Sequence, residues 1–282
     1  MNQPNGYNNN SNEGSGLIPP IIHYIWLGGK PLPDFAHQYI ESWRKHCPGW
    51  QIIEWNDDAL REVDNHYVTQ AIERKNWAFA SDYLRLLVLK KHGGFYCDID
   101  WEMRQSIEPL RQHSFVLGSE EERKTYIPLT AFIGATPGHP LIDALMEDYN
   151  QREFIINDED DITPNTQTFK RVMEAQWGLP KTWDIESTVQ LAQGCVLFPY
   201  THFCTRVEGK ENYGIHHFIA SWVAPCRRRK VWGCGRYKIV RFIRSLGYEK
   251  DDWIQLREDE EPVCTWRFTA RRAYALIRSK GK

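Results

Sequence analysis

An α/β fold is predicted for this chain, one large sheet-and-helix domain followed by a basic appendage, and three observations predict it. Apolar residues recur at three and four positions from Trp77 to His92, then switch to a period of two beyond Gly93-Gly94, as where a helix runs into a strand. Upstream, Ile21 to Leu27 is a nearly continuous apolar run and Trp50 to Trp55 alternates, with a helical pattern between them. Strand, helix, strand, helix, strand thus follow one another as parallel units joined by right-handed crossovers do. Charge is partitioned as well: residues 225–282 hold sixteen Lys/Arg against seven Asp/Glu, or +9, and residues 1–224 hold 19 against 30, or −11. With 282 residues the chain can bury a substantial core.

In chain order, residues 1–16 are rich in Asn, Ser and Gly and are expected to be a disordered tail, with the main domain over 17–224 and the basic extension over 225–282. The buried strand Ile21–Leu27 ends at Gly28-Gly29, and its carboxyl end is where an open α/β sheet commonly receives a nucleotide; Trp26 offers a flat face there. Pro33-Asp34 starts a helix to about Lys45 with Phe35, Tyr39, Ile40 and Trp43 inward, and Pro48-Gly49 stops it. Asn56 caps a short helical stretch that continues irregularly to Asn76, which caps the next helix, and Gly93 ends that helix. Phe115–Ser119, Leu129–Ala135 and Cys195–Tyr200 read as strands, Leu141–Tyr149 as a helix, and the acidic run Asp158–Asp161 as a solvated loop. In the basic extension, Tyr237–Leu246 and Ala270–Arg278 are expected to be helices, the first a basic amphipathic one suited to an anionic membrane surface.

No stretch approaches eighteen consecutive apolar residues and the first residues lack a basic-then-apolar leader, so a cytoplasmic location is expected. Seven cysteines, an odd number, fit reduced thiols. An acidic main region with no recognised nucleic-acid module argues against nucleic acid as a partner.

Chemistry concentrates at Asp98-Ile99-Asp100. Alternation along a strand from Phe95 to Asp100 would send both carboxylates to one face. Two carboxylates side by side repel at neutral pH unless a cation lies between them, and hard oxygen ligands suit Mg²⁺ or Mn²⁺. On the preceding helix, Asp82 and Arg85 are three residues apart and share a side. Further on, His216-His217 are adjacent, so in extended chain at most one can join a cation site.

Three separated motifs, Ala80-Ser81-Asp82-x-x-Arg85 with Gly93-Gly94-x-Tyr96 and Asp98-x-Asp100, the opening Ile18 to Gly29, and Ile215 to Trp222, together resemble glycosyltransferase family 32. That resemblance implies a GT-A-like, Rossmann-type mixed sheet flanked by helices. It further implies a retaining, divalent-metal-dependent transfer of a sugar from a nucleotide-diphosphate donor, with a UDP-sugar favoured, to a glycan or lipid-linked saccharide. Matched residue by residue, it implies Trp26 stacking on the base, Asp82, Arg85 and Tyr96 lining the donor-sugar pocket, and Asp98 near the ribose. It also implies Ser221 and Trp222 at the diphosphate, and Asp98, Asp100 and His217 as metal ligands, with His216 the substitute should the register slip by one. Catalysis would fall to Asp98, Asp100 and Arg85. Thr163–Thr168 occupies the place of a Thr-Gly-Pro segment but lacks its glycine, so no role passes to Asn165 on that ground. A nucleotide-sugar hydrolase and a non-catalytic carbohydrate-binding protein, the latter prompted by 12 Trp and 13 Tyr, are the alternatives.

Overall fold

The computed structural model describes residues 16–122, 125–219, 226–234, 236–244, 260–269 and 272–279. It divides into two compact units, the first ending at His217 and the second beginning at Phe218. The expected disordered tail, Ser221 and Trp222 lie outside the described residues.

In the first unit the elements run β1 (Ile21–Ile25), α1 (Asp34–His46), β2 (Gln51–Trp55), α2 (His66–Glu73), α3 (Trp77–His92), β3 (Gly94–Cys97), β4 (Trp101–Met103), β5 (Phe115–Glu122), β6 (Thr125–Ala135), α4 (Pro140–Asn150), β7 (Ile155–Ile156), β8 (Glu159–Asp160), α5 (Asn165–Gln176), β9 (Val189–Gln190), β10 (Cys195–Phe198), α6 (Tyr200–Phe203) and β11 (Gly214–His216). Seven strands form one sheet in the order β2-β1-β3-β6-β5-β10-β9. The pairs β1/β2, β1/β3 and β5/β10 are parallel; β3/β6, β5/β6 and β9/β10 are antiparallel. This is the mixed α/β sheet flanked by helices that the strand–helix alternation and the family resemblance implied.

Alternate residues of the central strands enter two separate cores. Tyr96, Phe115, Leu117 and Ile133 pack with residues of α2 to α5, while Phe95, Cys97, Val116 and Phe132 pack with Ala36, Ile40 and Trp43 of α1 and with Phe203. Each fully buried side chain of this size contributes roughly 1.5–3 kcal/mol. Helix α3 is buried on nearly every side, including Asp82 and Arg85. Its end is fixed by Gly93, whose φ of 61° suits glycine and whose added Cβ would come within 2.6 Å of Pro137. Asn76 occupies the N-cap position of α3 as expected, but its side chain makes no capping bond and donates to Asp160 Oδ2 at 2.7 Å instead. Likewise Asp158–Asp161 is not simply a solvated loop, because β7 and β8 pair as a hairpin whose Asp158 and Asp161 meet Arg74 and Arg152 at 2.5 and 2.6 Å.

The second unit corrects the expected helical appendage. Strands β12 (Cys226–Cys234), β13 (Tyr237–Arg244), β14 (Glu260–Thr269) and β15 (Arg272–Ser279) form an antiparallel sheet in the order β12-β13-β15-β14. The physical reason lies in the composition of β13, in which Ile239, Val240, Phe242 and Ile243 are β-branched or aromatic residues that favour strands. Val240 lies on the same face as its cross-strand partner Ala275, and both are buried, as is Ile277 two residues beyond.

Candidate active site

Asp98 and Asp100 do not sit on one strand face as alternation suggested. β3 ends at Cys97, and the next residues form a tight turn closed by the Trp101 amide donating to the Asp98 carbonyl at 2.9 Å, while the Asp98 amide remains tied to the sheet through the Ala131 carbonyl at 2.8 Å. The turn, rather than the pleat, brings the two carboxylates together.

A third ligand atom arrives from far along the chain. β4 pairs antiparallel with β11, in the register Gly214↔Met103, Ile215↔Glu102 and His216↔Trp101. Among the described residues, one oxygen each of Asp98 and Asp100 and one nitrogen of His216 lie within 4.8 Å of one another, with His216 Nε2 3.4 Å from Asp100 Oδ1. An ion with bonds of ~2.1 Å holds its ligand atoms about 3 Å apart in cis and about 4 Å apart in trans. The group therefore fits Mn²⁺ or Mg²⁺ with small adjustments. His217, the expected ligand, points elsewhere: its Nε2 is 2.9 Å from Glu102 Oε2 and its ring stacks on Tyr39. Successive residues of a strand face opposite ways, so once His216 turns toward Asp100 its neighbour cannot. Burial pulls the His216 imidazole toward the neutral form, but Asp100, then Asp98 and Glu120, outweigh it and leave its pKa raised.

Behind the turn lies a buried polar network. The Arg85 guanidinium, 5% exposed, reaches Asp82 Oδ1 at 2.8 Å and Asp98 Oδ1 at 3.4 Å, donates to the Thr130 carbonyl at 3.0 Å, and covers the Tyr96 ring at 4.4 Å. The Tyr96 hydroxyl donates to Asp98 Oδ1 at 2.6 Å. Arg85 and Tyr96 thus both hold the first carboxylate of the pair. Burial pushes Asp82 up to about 7 against the pull of Arg85. Asn165, at the start of α5, donates to Asp82 Oδ1 at 2.8 Å and accepts from Thr130 Oγ1 at 2.8 Å, so it belongs to the network although its segment lacks the family's glycine.

Trp26 lines a separate cavity of about 320 Å³ with Gly29, Lys30, Glu54, Asn56, Asp57 and Asp58. The Gly28 and Gly29 amides, which could have cradled a phosphate, donate instead to Asp57 Oδ1 and Oδ2 at 2.9 and 3.0 Å. Gly28, with φ 96°, lies so close to Trp77 that a Cβ would come within 2.7 Å of its indole nitrogen, which packs this loop against the start of α3. Sequence reasoning passed over Glu102, two residues beyond Asp100, and the Thr130–Asn165 pair. An acidic residue continuing the Asp-x-Asp spacing was the available signal for the first; the second is a meeting of distant strands and helices that no local pattern records.

The mixed α/β sheet thus carries a carboxylate–carboxylate–imidazole cluster, with the spacing to hold a metal ion, beside a buried Asp–Arg pair. Residues 33–117 match the family described as a glycosyltransferase sugar-binding region containing DXD motif, in keeping with the resemblance its motifs carry. Over 159 residues the chain is 28% identical to an uncharacterized glycosyltransferase of Acanthamoeba polyphaga mimivirus, covering 54% of this chain and 62% of that protein. Over 143 residues it is 28% identical to inositol phosphoceramide mannosyltransferase 1 of Schizosaccharomyces pombe, covering 44% of this chain and 40% of that protein. The chain thus spans less than two thirds of the length of these curated relatives. Among solved structures it is similar to the PaToxG glycosyltransferase at 20% identity and a TM-score of 0.43, covering 57% of this chain and 70% of that one.

Proposed function

We propose that the protein is a divalent-metal-dependent glycosyltransferase that moves a sugar from a nucleotide-diphosphate donor to a saccharide acceptor, free or lipid-linked. The observation that carries this reading is the convergence of Asp98, Asp100 and His216 within 4.8 Å, backed by Arg85 and Asp82. Bound there, Mn²⁺ or Mg²⁺ supplies positive charge opposite the departing diphosphate. The imidazole favours Mn²⁺, since nitrogen ligands suit transition ions better than Mg²⁺.

Asp98 and Asp100 hold the ion, and Tyr96 and Arg85 fix the Asp98 carboxylate so that it needs little reorganisation when the donor binds. Asp82, held by Arg85 and Asn165, presents its carboxylate to donor-sugar hydroxyls. Trp26 takes the base on its indole face, with Asn56 and Glu54 supplying hydrogen-bonding groups in the same cavity. Three carboxylates in that cavity and the use of the Gly28-Gly29 amides by Asp57 support a base-and-ribose role there rather than a phosphate one. The anomeric configuration is retained and UDP-sugars are the favoured donors, both on the strength of the family resemblance. The +9 charge of residues 225–282 supports contact with an anionic membrane face, where a lipid-linked acceptor and a cytoplasmic enzyme would meet.

A thermal-shift screen of UDP- and GDP-sugars with and without Mn²⁺ tests the reading, because a ligand of the native state raises its apparent stability. Stabilisation by at least one nucleotide sugar, abolished by EDTA and by Asp100→Asn, is expected. Sugar binding that ignores both would favour a non-catalytic carbohydrate-binding protein, and nucleotide-sugar turnover that stays purely hydrolytic with every saccharide offered would favour a hydrolase.

A further inference from the structure

One cluster beside the candidate cation site is given no role in the reading above. The His217 amide donates to the Asp100 carbonyl at 3.0 Å, and its ring turns onto Tyr39 of α1, with centroids 4.6 Å apart and planes 11° from parallel. Its Nε2 meets Glu102 Oε2 at 2.9 Å, and Arg104 Nη1 donates to Glu102 Oε1 at 2.7 Å. The side chains remain partly open to solvent, at 31% for His217, 22% for Glu102 and 39% for Arg104. Arg85 and Tyr96 grip the turn at Asp98; this cluster leaves it by the other end, through Asp100 and Glu102.

We propose that Tyr39, Glu102, Arg104 and His217 form the acceptor subsite, and that the acceptor bound there is a neutral pyranoside. The proposal rests on the glycosyltransferase reading above. Its chemistry comes from the cluster itself. A carboxylate and a guanidinium that share one ion pair can each hydrogen-bond vicinal hydroxyls, and a stacked phenol–imidazole pair gives a rigid edge for the C–H face of a sugar. Glu102 in the middle of the set disfavours an acceptor whose recognised part is a phosphate or carboxylate. Glu102 stands two residues beyond Asp100 and the His217 amide bonds the Asp100 carbonyl, so a sugar held at the cluster would adjoin the candidate cation site.

The full chain with Mn²⁺ is tested by saturation-transfer NMR, with UDP and GDP as nucleotide probes and methyl α- and β-glycosides of glucose, galactose and mannose as saccharide probes. At least one glycoside is expected to bind the nucleotide-loaded wild type. Tyr39→Ala and Arg104→Gln should weaken that glycoside about tenfold while shifting the nucleotide Kd by less than about twofold, and Tyr39→Phe, which keeps the ring stack, should retain most of the affinity. Circular dichroism checks that each variant is folded, and Arg104→Gln keeps a polar side chain while removing the charge that pairs with Glu102. Wild type that binds nucleotide but none of the glycosides overturns the subsite, as do variants that bind glycoside like wild type. Failure of both nucleotides to bind wild type with Mn²⁺ removes the glycosyltransferase reading and the subsite with it, an outcome recognisable because it precedes any saccharide measurement.

Discussion

His23 gives a pH dependence that can be worked from the structure. It is fully buried in β1, its Nε2 donating to the Gly93 carbonyl at 2.8 Å and its Nδ1 accepting from the Trp55 indole at 3.1 Å, which fixes the neutral imidazole. Burial, aided by the nearby His92 and only partly offset by Gly93, lowers its pKa from 6.5 to about 4. Between those values the unfolded chain binds a proton at this residue and the folded chain does not. The contribution is therefore complete above pH 6.5 and is lost as the pH falls toward 4, at up to about 1.4 kcal/mol per pH unit and about 3 kcal/mol in all. Urea unfolding of wild type and His23→Gln at intervals from pH 7 to 4.5 isolates it, since other titrating groups cancel in the difference. The advantage of wild type should shrink steadily on acidification. A difference that stays flat over that range would refute the reasoning, because it would mean that His23 is protonated in the fold or that the cavity admits water.

Further outcomes follow from the site. Arg85→Met leaves the buried Asp82 and the partly exposed Asp98 carboxylates without their cation and should cost about 3–5 kcal/mol in denaturant unfolding, with a smaller loss for Arg85→Lys. His216→Ala should weaken Mn²⁺ binding by about 10- to 100-fold in isothermal titration, while His217→Ala should leave it within about threefold; equal losses would contradict the assignment of the ligand. Gly214→Ala would set a Cβ 2.1 Å from Trp101 Cζ2, so it should destabilise the fold by about 1–3 kcal/mol and lower Mn²⁺ affinity as β11 shifts, read by melting and titration together.

Much of this molecule was legible in the sequence, and the reasons differ by residue. Helix α3 and strand β3 were legible because both are strongly apolar, being buried on nearly every side, and the change of period falls at Gly93-Gly94. Asp82 and Arg85 were placed together by helical spacing alone. The cation group was half legible: Asp98 and Asp100 are close for a reason, a turn, that pleat geometry did not anticipate. Which of two adjacent histidines completes it depends on the register of β11 against β4, a pairing across more than a hundred residues that no local rule reaches. The second unit was misjudged because Arg and Lys spaced among Ile, Val and Phe can mimic a helical stripe, whereas β-branched residues and cross-strand partners decided for strands.

The two-stranded ribbon that delivers His216 has a consequence of its own. It comprises three residues on each side and belongs to a separate sheet from the seven main strands, so no long ladder holds it in place. Were an ion bound as proposed, capturing it and ordering this ribbon would be one thermodynamic event, the ion clasping the turn after β3 to the last stretch of the first unit. Amide exchange at Ile215 and His216 should slow on adding Mn²⁺, while exchange in the centre of the main sheet stays as it was.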